Sequence, residues 1–184
     1  MHVDWKYPGL EIGCRDGQWT KYLVGMDPLY IADVHKEFVD STAAAYPPEY
    51  QARLRQQVIR NSDLSALPKN QFGFVFSWNF FNYLPMYKIQ HYLQQIYTLL
   101  RPGGVVWFSY NNADMTAAAE FADSYFMSYA PKSQLLPRCT EMGFEIISSA
   151  DFDPAISWLE LRKPGTLKTI KAHQVLGEIK WVNP

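Results

Sequence analysis

The residues best able to do chemistry stand together near the N-terminus, in Leu10-Glu11-Ile12-Gly13-Cys14-Arg15-Asp16-Gly17. An apolar run closes on an acid, two glycines follow four positions apart, and Gln18-Trp19-Thr20-Lys21-Tyr22-Leu23 can start a helix. That order reads as strand, tight loop and helix. Glycine has no Cβ, so the backbone there can take positive φ and a ligand can lie against bare peptide. In open α/β sheets such a loop sits at the carboxyl end of a strand, where ligands bind. The dinucleotide fingerprint G-x-G-x-x-G is not met, because Arg15 stands at its second glycine and the spacing is E-x-G-x-x-x-G. An acid ahead of the first glycine suits a ligand with a positive amino group better than a pyrophosphate. A glycine loop that only turns the chain is the competing reading.

A second acid, Asp33, closes the apolar run Pro28-Leu29-Tyr30-Ile31-Ala32 and is followed by Val34 and His35. It lies about twenty residues beyond Glu11, the offset at which Rossmann-like sheets place the carboxylate that takes ribose hydroxyls. A carboxylate accepts two hydroxyl hydrogens at once, which is why the position needs Asp or Glu. A cap for the next helix is the alternative. His35 is read as an exposed loop residue.

The elements that must position these residues follow from periodicity. The helix after the glycine loop is predicted to run to about Val24. Lys36 to Tyr46 carries Phe38, Val39, Thr42, Ala43 and Tyr46 on one helical face, and Pro47-Pro48 ends it. Glu49 to Gln57 is polar, with a helical turn or two, and Gln57-Val58-Ile59-Arg60 is predicted as the third strand. Gln71 to Ser77 is apolar without alternation, as in a strand buried on both faces of a parallel sheet. Met86 to Leu100 is the clearest helix, with Ile89, Tyr92, Leu93, Ile96, Leu99 and Leu100 on its packing face. Arg101-Pro102-Gly103-Gly104 breaks it, and Val105 to Tyr110 is the fifth strand. Met115 to Ala130 is predicted helical, and Ser133 is a candidate cap for a helix over Gln134–Met142. Phe144 to Ser148 and Ser157 to Arg162 read as a closing hairpin-like pair of strands, and Thr166 to Trp181 as a final amphipathic helix.

Taken in order, Glu11-x-Gly13-x-x-x-Gly17, Asp33, Asp63-Leu64-x-x-Leu67-Pro68, the strand-end cluster Ser77-Trp78-Asn79-Phe80-Phe81-Asn82-Tyr83-Leu84-Pro85 and Leu99-Leu100-Arg101-Pro102-Gly103-Gly104 resemble the class I S-adenosylmethionine-dependent methyltransferases. The resemblance spans about Gly9 to Arg162. It implies an α/β fold, a Rossmann-like seven-stranded mostly parallel sheet with helices on both faces and the last strand antiparallel. It implies S-adenosyl-L-methionine as cofactor, held by Glu11, Gly13, Cys14, Arg15, Gly17, Asp33, Val34, Asp63, Leu64, Ser77 and Trp78. In that family an acid in the Asp63 loop accepts the adenine amino hydrogen, and Leu64 would pack on the ring. Arg15 departs from the usual glycine and is expected either to point outward or to close over the methionine carboxylate. The implied reaction is methyl transfer by in-line displacement. Asn79, Tyr83 and Tyr110 are the catalytic candidates by their place at strand ends. The D/N/S-P-P-aromatic tetrapeptide of amino-methylating nucleic-acid enzymes is absent, so an exocyclic base amine is disfavoured as acceptor.

Composition bounds the rest. The chain has 184 residues, 48% hydrophobic, with a formal net charge of −1, so no broad basic field for nucleic acid is expected. Cys14 and Cys139 lack a metal spacing and read as reduced thiols of a cytoplasmic protein. No metal site and no membrane span is read. The expectation is one domain over 1–184, with 164–184 a C-terminal helix or tail. Only Met1 to Tyr7 precede the first strand, which suggests a minimal core or a core cut from a larger protein with neighbouring domains. The acceptor is a sugar, a protein or a small molecule. Two rivals stand beside this reading: a binding module that holds the cofactor without turnover, and a nicotinamide oxidoreductase, which the glycine spacing opposes.

Overall fold

A computed structural model describes residues 4–153 and 156–165. Seven strands form one sheet: β1 (Gly9–Ile12), β2 (Leu29–Asp33), β3 (Leu54–Val58), β4 (Phe72–Ser77), β5 (Leu100–Tyr110), β6 (Glu145–Asp151) and β7 (Ser157–Arg162). Their spatial order is β3-β2-β1-β4-β5-β7-β6. The first five run parallel, and β7 inserts antiparallel between β5 and β6. Strand order reverses between β1 and β4, so a crevice opens outside their carboxyl ends.

The sheet is buried from both sides. On one face α3 (Met86–Leu99) and α5 (Lys132–Glu141) contribute Ile89, Leu93, Ile96, Leu135 and Cys139 to a cluster with Leu10, Ile12, Val75 and Val106. On the other, α1 (Lys36–Ala44) places Val39 and Ala43 against Ile31, Phe74 and Phe76. β4 feeds both clusters, which is why its sequence carries no polar alternation. The short α2 (Pro48–Gln51) and α4 (Thr116–Asp123) complete the helices among the described residues.

Several boundaries differ from those read in the sequence. After the glycine loop there is one 3₁₀ turn, Thr20–Tyr22, rather than a helix to Val24. The Thr20 hydroxyl is tied down to Glu11, and Trp19 is drawn against Phe76 and Trp78, so the segment is pinned before it can extend. β3 starts at Leu54, three residues ahead of the expected Gln57, and pairs Leu29 with Leu54 through Asp33 with Val58. It is an edge strand with Arg55 and Gln56 exposed, and its apolar signal is correspondingly weak. Arg101–Gly104 does not separate helix from strand. β5 already begins at Leu100, and the register slips between Phe72 and Phe74 to absorb the Pro-Gly-Gly irregularity.

α4 stops at Asp123 instead of reaching Ala130. The buried Asn111 amide donates to both the Ala118 and Ser128 carbonyls, and Asn82 O accepts from Ser128 N–H, so the chain is folded back. α5 is capped by Asp114, which accepts from the N–H and hydroxyl of Ser133; Ser133 itself lies inside the helix. The helix expected over Thr166–Trp181 lies outside the described residues.

Candidate functional site

The glycine loop leaves β1 with Gly13 at φ +80°, Arg15 at φ +45° and Gly17 at φ +77°. Three left-handed residues in five fold the loop into a compact nest. Its amides turn inward: Gly13 and Cys14 N–H donate to Ala32 O at 2.7 and 3.3 Å, and Gly17 N–H to Cys14 O at 2.9 Å. Thr42 Oγ1 of α1 donates to Arg15 O at 2.8 Å, and its methyl lies under Gly17, so α1 buttresses the loop.

Asp33 ends β2 at the crevice. Its Oδ2 accepts the Arg15 N–H at 3.2 Å and its Oδ1 the His35 N–H at 3.0 Å. These two bonds fix the carboxylate's orientation and use one acceptor site on each oxygen. Further lone pairs remain for a vicinal diol.

Asp33 borders a cleft of about 390 Å³. Arg15, Val34, His35 and Phe38 form one wall, Asn79, Phe80 and Tyr83 a second, and Ser62, Leu84, Lys88 and Tyr92 close the far end. Asn79 is left-handed at φ +51°. Its N–H donates to Ser109 Oγ at 2.7 Å, and that hydroxyl donates to Asn82 Oδ1 at 2.8 Å. Asn79 Oδ1 is buried with no partner. Tyr83 is 43% exposed, edge-on to Phe126 at 6.2 Å, and marks the open side.

The fold thus brings Arg15, Asp33, Val34, Asn79 and Tyr83 into one cleft, and the other sequence candidates elsewhere. Glu11 is 2% exposed beneath the loop, its Oε2 taking the Thr20 hydroxyl at 2.5 Å. Burial, opposed by that hydrogen bond and reinforced by nearby Asp33, pushes its carboxyl up to about 8. It anchors the loop from below. The Cys14 side chain points into the core, and burial, with Glu11 and Asp33 adding, pushes its thiol up to about 12. Gly13 is in contact with the Phe80 ring, and Gly17 with Thr42.

Asp63 lies outside the cleft, exposed, and accepts from the N–H and hydroxyl of Ser65, which hold its carboxylate below its usual range. Leu64 is fully buried in the core and cannot pack on a ligand ring. Left-handed conformations at Asn61 and Ser62 turn the loop so that Ser62 reaches the cleft in their stead. Ser77 is buried, its hydroxyl donating to Ile12 O at 2.8 Å across the β1–β4 seam. Trp78 stacks on Trp158 at 4.9 Å, within the α1-side apolar cluster and outside the cleft. Tyr110 is 0% exposed among Phe108 and its neighbours, so it is a core residue and not a catalytic one.

Ser62 and Lys88 line the cleft without having stood out in the sequence, whereas Tyr92 was expected only on the helix's packing face and Phe80 only as part of the strand-end cluster. Lys88 and Tyr92 carried a usable signal: they lie four apart on α3 and so share one edge of the helix. Among the described residues no group of three or more His, Cys, Asp or Glu is arranged to hold a metal, and no helix is long and apolar enough to cross a membrane.

Adenosine chemistry fits this cleft on the chain's own geometry. The oriented Asp33 carboxylate has lone pairs left for a ribose diol, and Val34 and Phe38 supply exposed apolar surface beside it. Three solved structures of similar shape carry methyltransferase names. An S-adenosylmethionine dependent methyltransferase from Mesorhizobium loti superposes with a TM-score of 0.73 at 14% identity, over 88% of this chain and 93% of that one. A putative methyltransferase in complex with the Haloferax volcanii Trm112 activator gives 0.73 at 16% identity, over 90% and 86%. Geranyl diphosphate C-methyltransferase from Streptomyces coelicolor A3(2) gives 0.73 at 9% identity, over 88% and 76%. No curated protein matches the sequence. A family model described as a methyltransferase domain matches residues 7–149, most of the strands and both walls of the cleft. The chain therefore belongs to the methyltransferase domain family, on the class I S-adenosylmethionine-dependent fold.

Proposed function

We propose that this methyltransferase binds S-adenosyl-L-methionine in the cleft at the β1–β4 switch point and passes its methyl group to an acceptor entering past Tyr83. The observation that carries the reading is Asp33: an acid at the end of β2, oriented by two backbone N–H donors and bordering the cleft. Its carboxylate takes the ribose hydroxyls. Val34 and Phe38 flank the base, and Ser62 stands on the cleft lining beyond them. Arg15 stands at the mouth, where its guanidinium can meet a carboxylate.

The bound sulfonium supplies an intrinsically electrophilic methyl. The chain's contribution is position. Asn79 and Tyr83 lie on the β4 side and hold the acceptor in line with the methyl carbon. A general base is required only for an acceptor that must lose its proton early, and no side chain in the cleft is assigned that role. The open side at Tyr83 admits a small molecule, a sugar or an exposed group of a protein.

Calorimetric titration with S-adenosylhomocysteine tests the cofactor assignment. Wild type is expected to bind, and Asp33→Ala to lose at least about tenfold in affinity, as for two hydrogen bonds to a charged group. Equal affinities in the two proteins would remove Asp33, and this reading, from the site.

A further inference from the structure

The glycine loop owes its bare face to Gly13, yet that face is covered. A Cβ built on Gly13 would lie 2.8 Å from Phe80 Cβ, 2.9 Å from Cδ2 and 3.0 Å from Cγ. The Phe80 side chain occupies the space that the missing Cβ leaves. A ligand atom cannot share it.

Phe80 is held there from both directions. Its predecessor Asn79 turns left-handed, with its N–H on the Ser109 hydroxyl, and that turn throws the ring back over β1. The ring then packs edge-on against Phe81 and Tyr92, each at 5.6 Å between centroids. Its backbone is the entry to the 3₁₀ turn Phe81–Tyr83. The side chain is only half-buried and borders the cleft; rotation about its Cα–Cβ bond leaves Cβ in place and carries Cγ and Cδ2 off Gly13 while the backbone stays.

The two halves of the cleft therefore differ. Around Val34 and Phe38, beside Asp33, the wall is open; beside Gly13 it is filled. We infer that Phe80 is a specificity-determining residue that guards the amino-acid half of the cofactor site. A thionucleoside enters beside Asp33 without disturbing it, whereas a ligand with an amino-acid tail must first swing the ring off Gly13. This rests on the reading that the cleft holds S-adenosylmethionine. It adds that part of the binding free energy is spent on displacing Phe80, and only by ligands that carry the tail.

The test uses two probes that share adenine, ribose and sulfur. S-adenosylhomocysteine has the amino-acid tail; 5′-methylthioadenosine lacks it. Both are titrated calorimetrically into wild type, Phe80→Leu and Phe80→Ala, with urea midpoints confirming that each variant is folded. Phe80→Ala is expected to raise the ratio of S-adenosylhomocysteine to 5′-methylthioadenosine affinity about five-fold, the equivalent of one aromatic contact no longer broken. Phe80→Leu, which keeps apolar bulk at the site, is expected to move the same way by less and serves alone if the alanine variant does not fold. An unchanged ratio between the probes overturns the inference. A parallel weakening of both also overturns it and makes Phe80 a stacking platform. If neither probe binds any of the proteins, the cofactor reading itself fails and the inference falls with it.

Discussion

Beneath the glycine loop the Thr20 hydroxyl meets Glu11 Oε2 at 2.5 Å, and both side chains are closed off from solvent. The 3₁₀ turn is thereby tied to the end of β1 by a carboxyl that has lost its hydration. Burial raises that carboxyl from the ordinary 4.5 to about 8. Between those two values the folded protein keeps a proton that the unfolded chain has released. Stability is therefore expected to fall as pH rises across that window and to level off above it. Glu11→Gln retains a carbonyl acceptor for Thr20 and has no charge to bury. Its urea midpoint should stay flat where wild type declines, with a gain of at least about 1 kcal/mol at pH 8.5. Parallel profiles for the two proteins would mean that Glu11 is ionised in the fold.

Gly13→Ala is expected to destabilise by about 1–3 kcal/mol, since φ +80° disfavours an L side chain and the new methyl meets Phe80. Only the part due to the ring atoms Cγ and Cδ2 should vanish in a Phe80→Ala background, since the Phe80 Cβ, the nearest atom at 2.8 Å, remains. A double-mutant cycle in urea isolates that part. Strict additivity would show that the ring and the new methyl do not collide.

Arg15 sits at φ +45°, where glycine is the unstrained residue. Arg15→Gly should raise stability by about 0.5–1 kcal/mol, because the backbone bonds to Asp33 and Thr42 are untouched and only strain is relieved. If the guanidinium closes on a ligand carboxylate, affinity for S-adenosylhomocysteine should fall in the same variant. Opposite movements of thermal midpoint and calorimetric affinity are expected; affinity unchanged would mean that the side chain points outward.

Both cysteines are buried, and burial pushes each thiol up to about 12. The folded protein should therefore resist a colourimetric disulfide reagent at pH 8 and take up two equivalents once unfolded in urea. Prompt labelling of the native protein would reveal opening of the glycine loop around Cys14 or of α5 around Cys139.

Much of this architecture is written locally. The apolar run of β4, the i, i+3, i+4 stripe of α3, the two glycines after Glu11 and the acid closing β2 are each a statement about neighbours a few residues apart. Those are the distances over which periodicity and turn chemistry act. The sequence by itself therefore determined the order of strands and helices, the family, and Asp33 as the acid at the switch point. The direction in which a loop side chain points is a different matter. Asn61, Ser62 and Asn79 are left-handed without being glycine, and such conformations persist only where the surrounding structure holds them. Tertiary structure alone decided that Ser62 faces the cleft while Asp63 turns out and Leu64 turns in, that Glu11 and Tyr110 are buried, and that Phe80 lies on Gly13. Each of those outcomes depends on contacts between strands far apart in the chain, which no local pattern encodes.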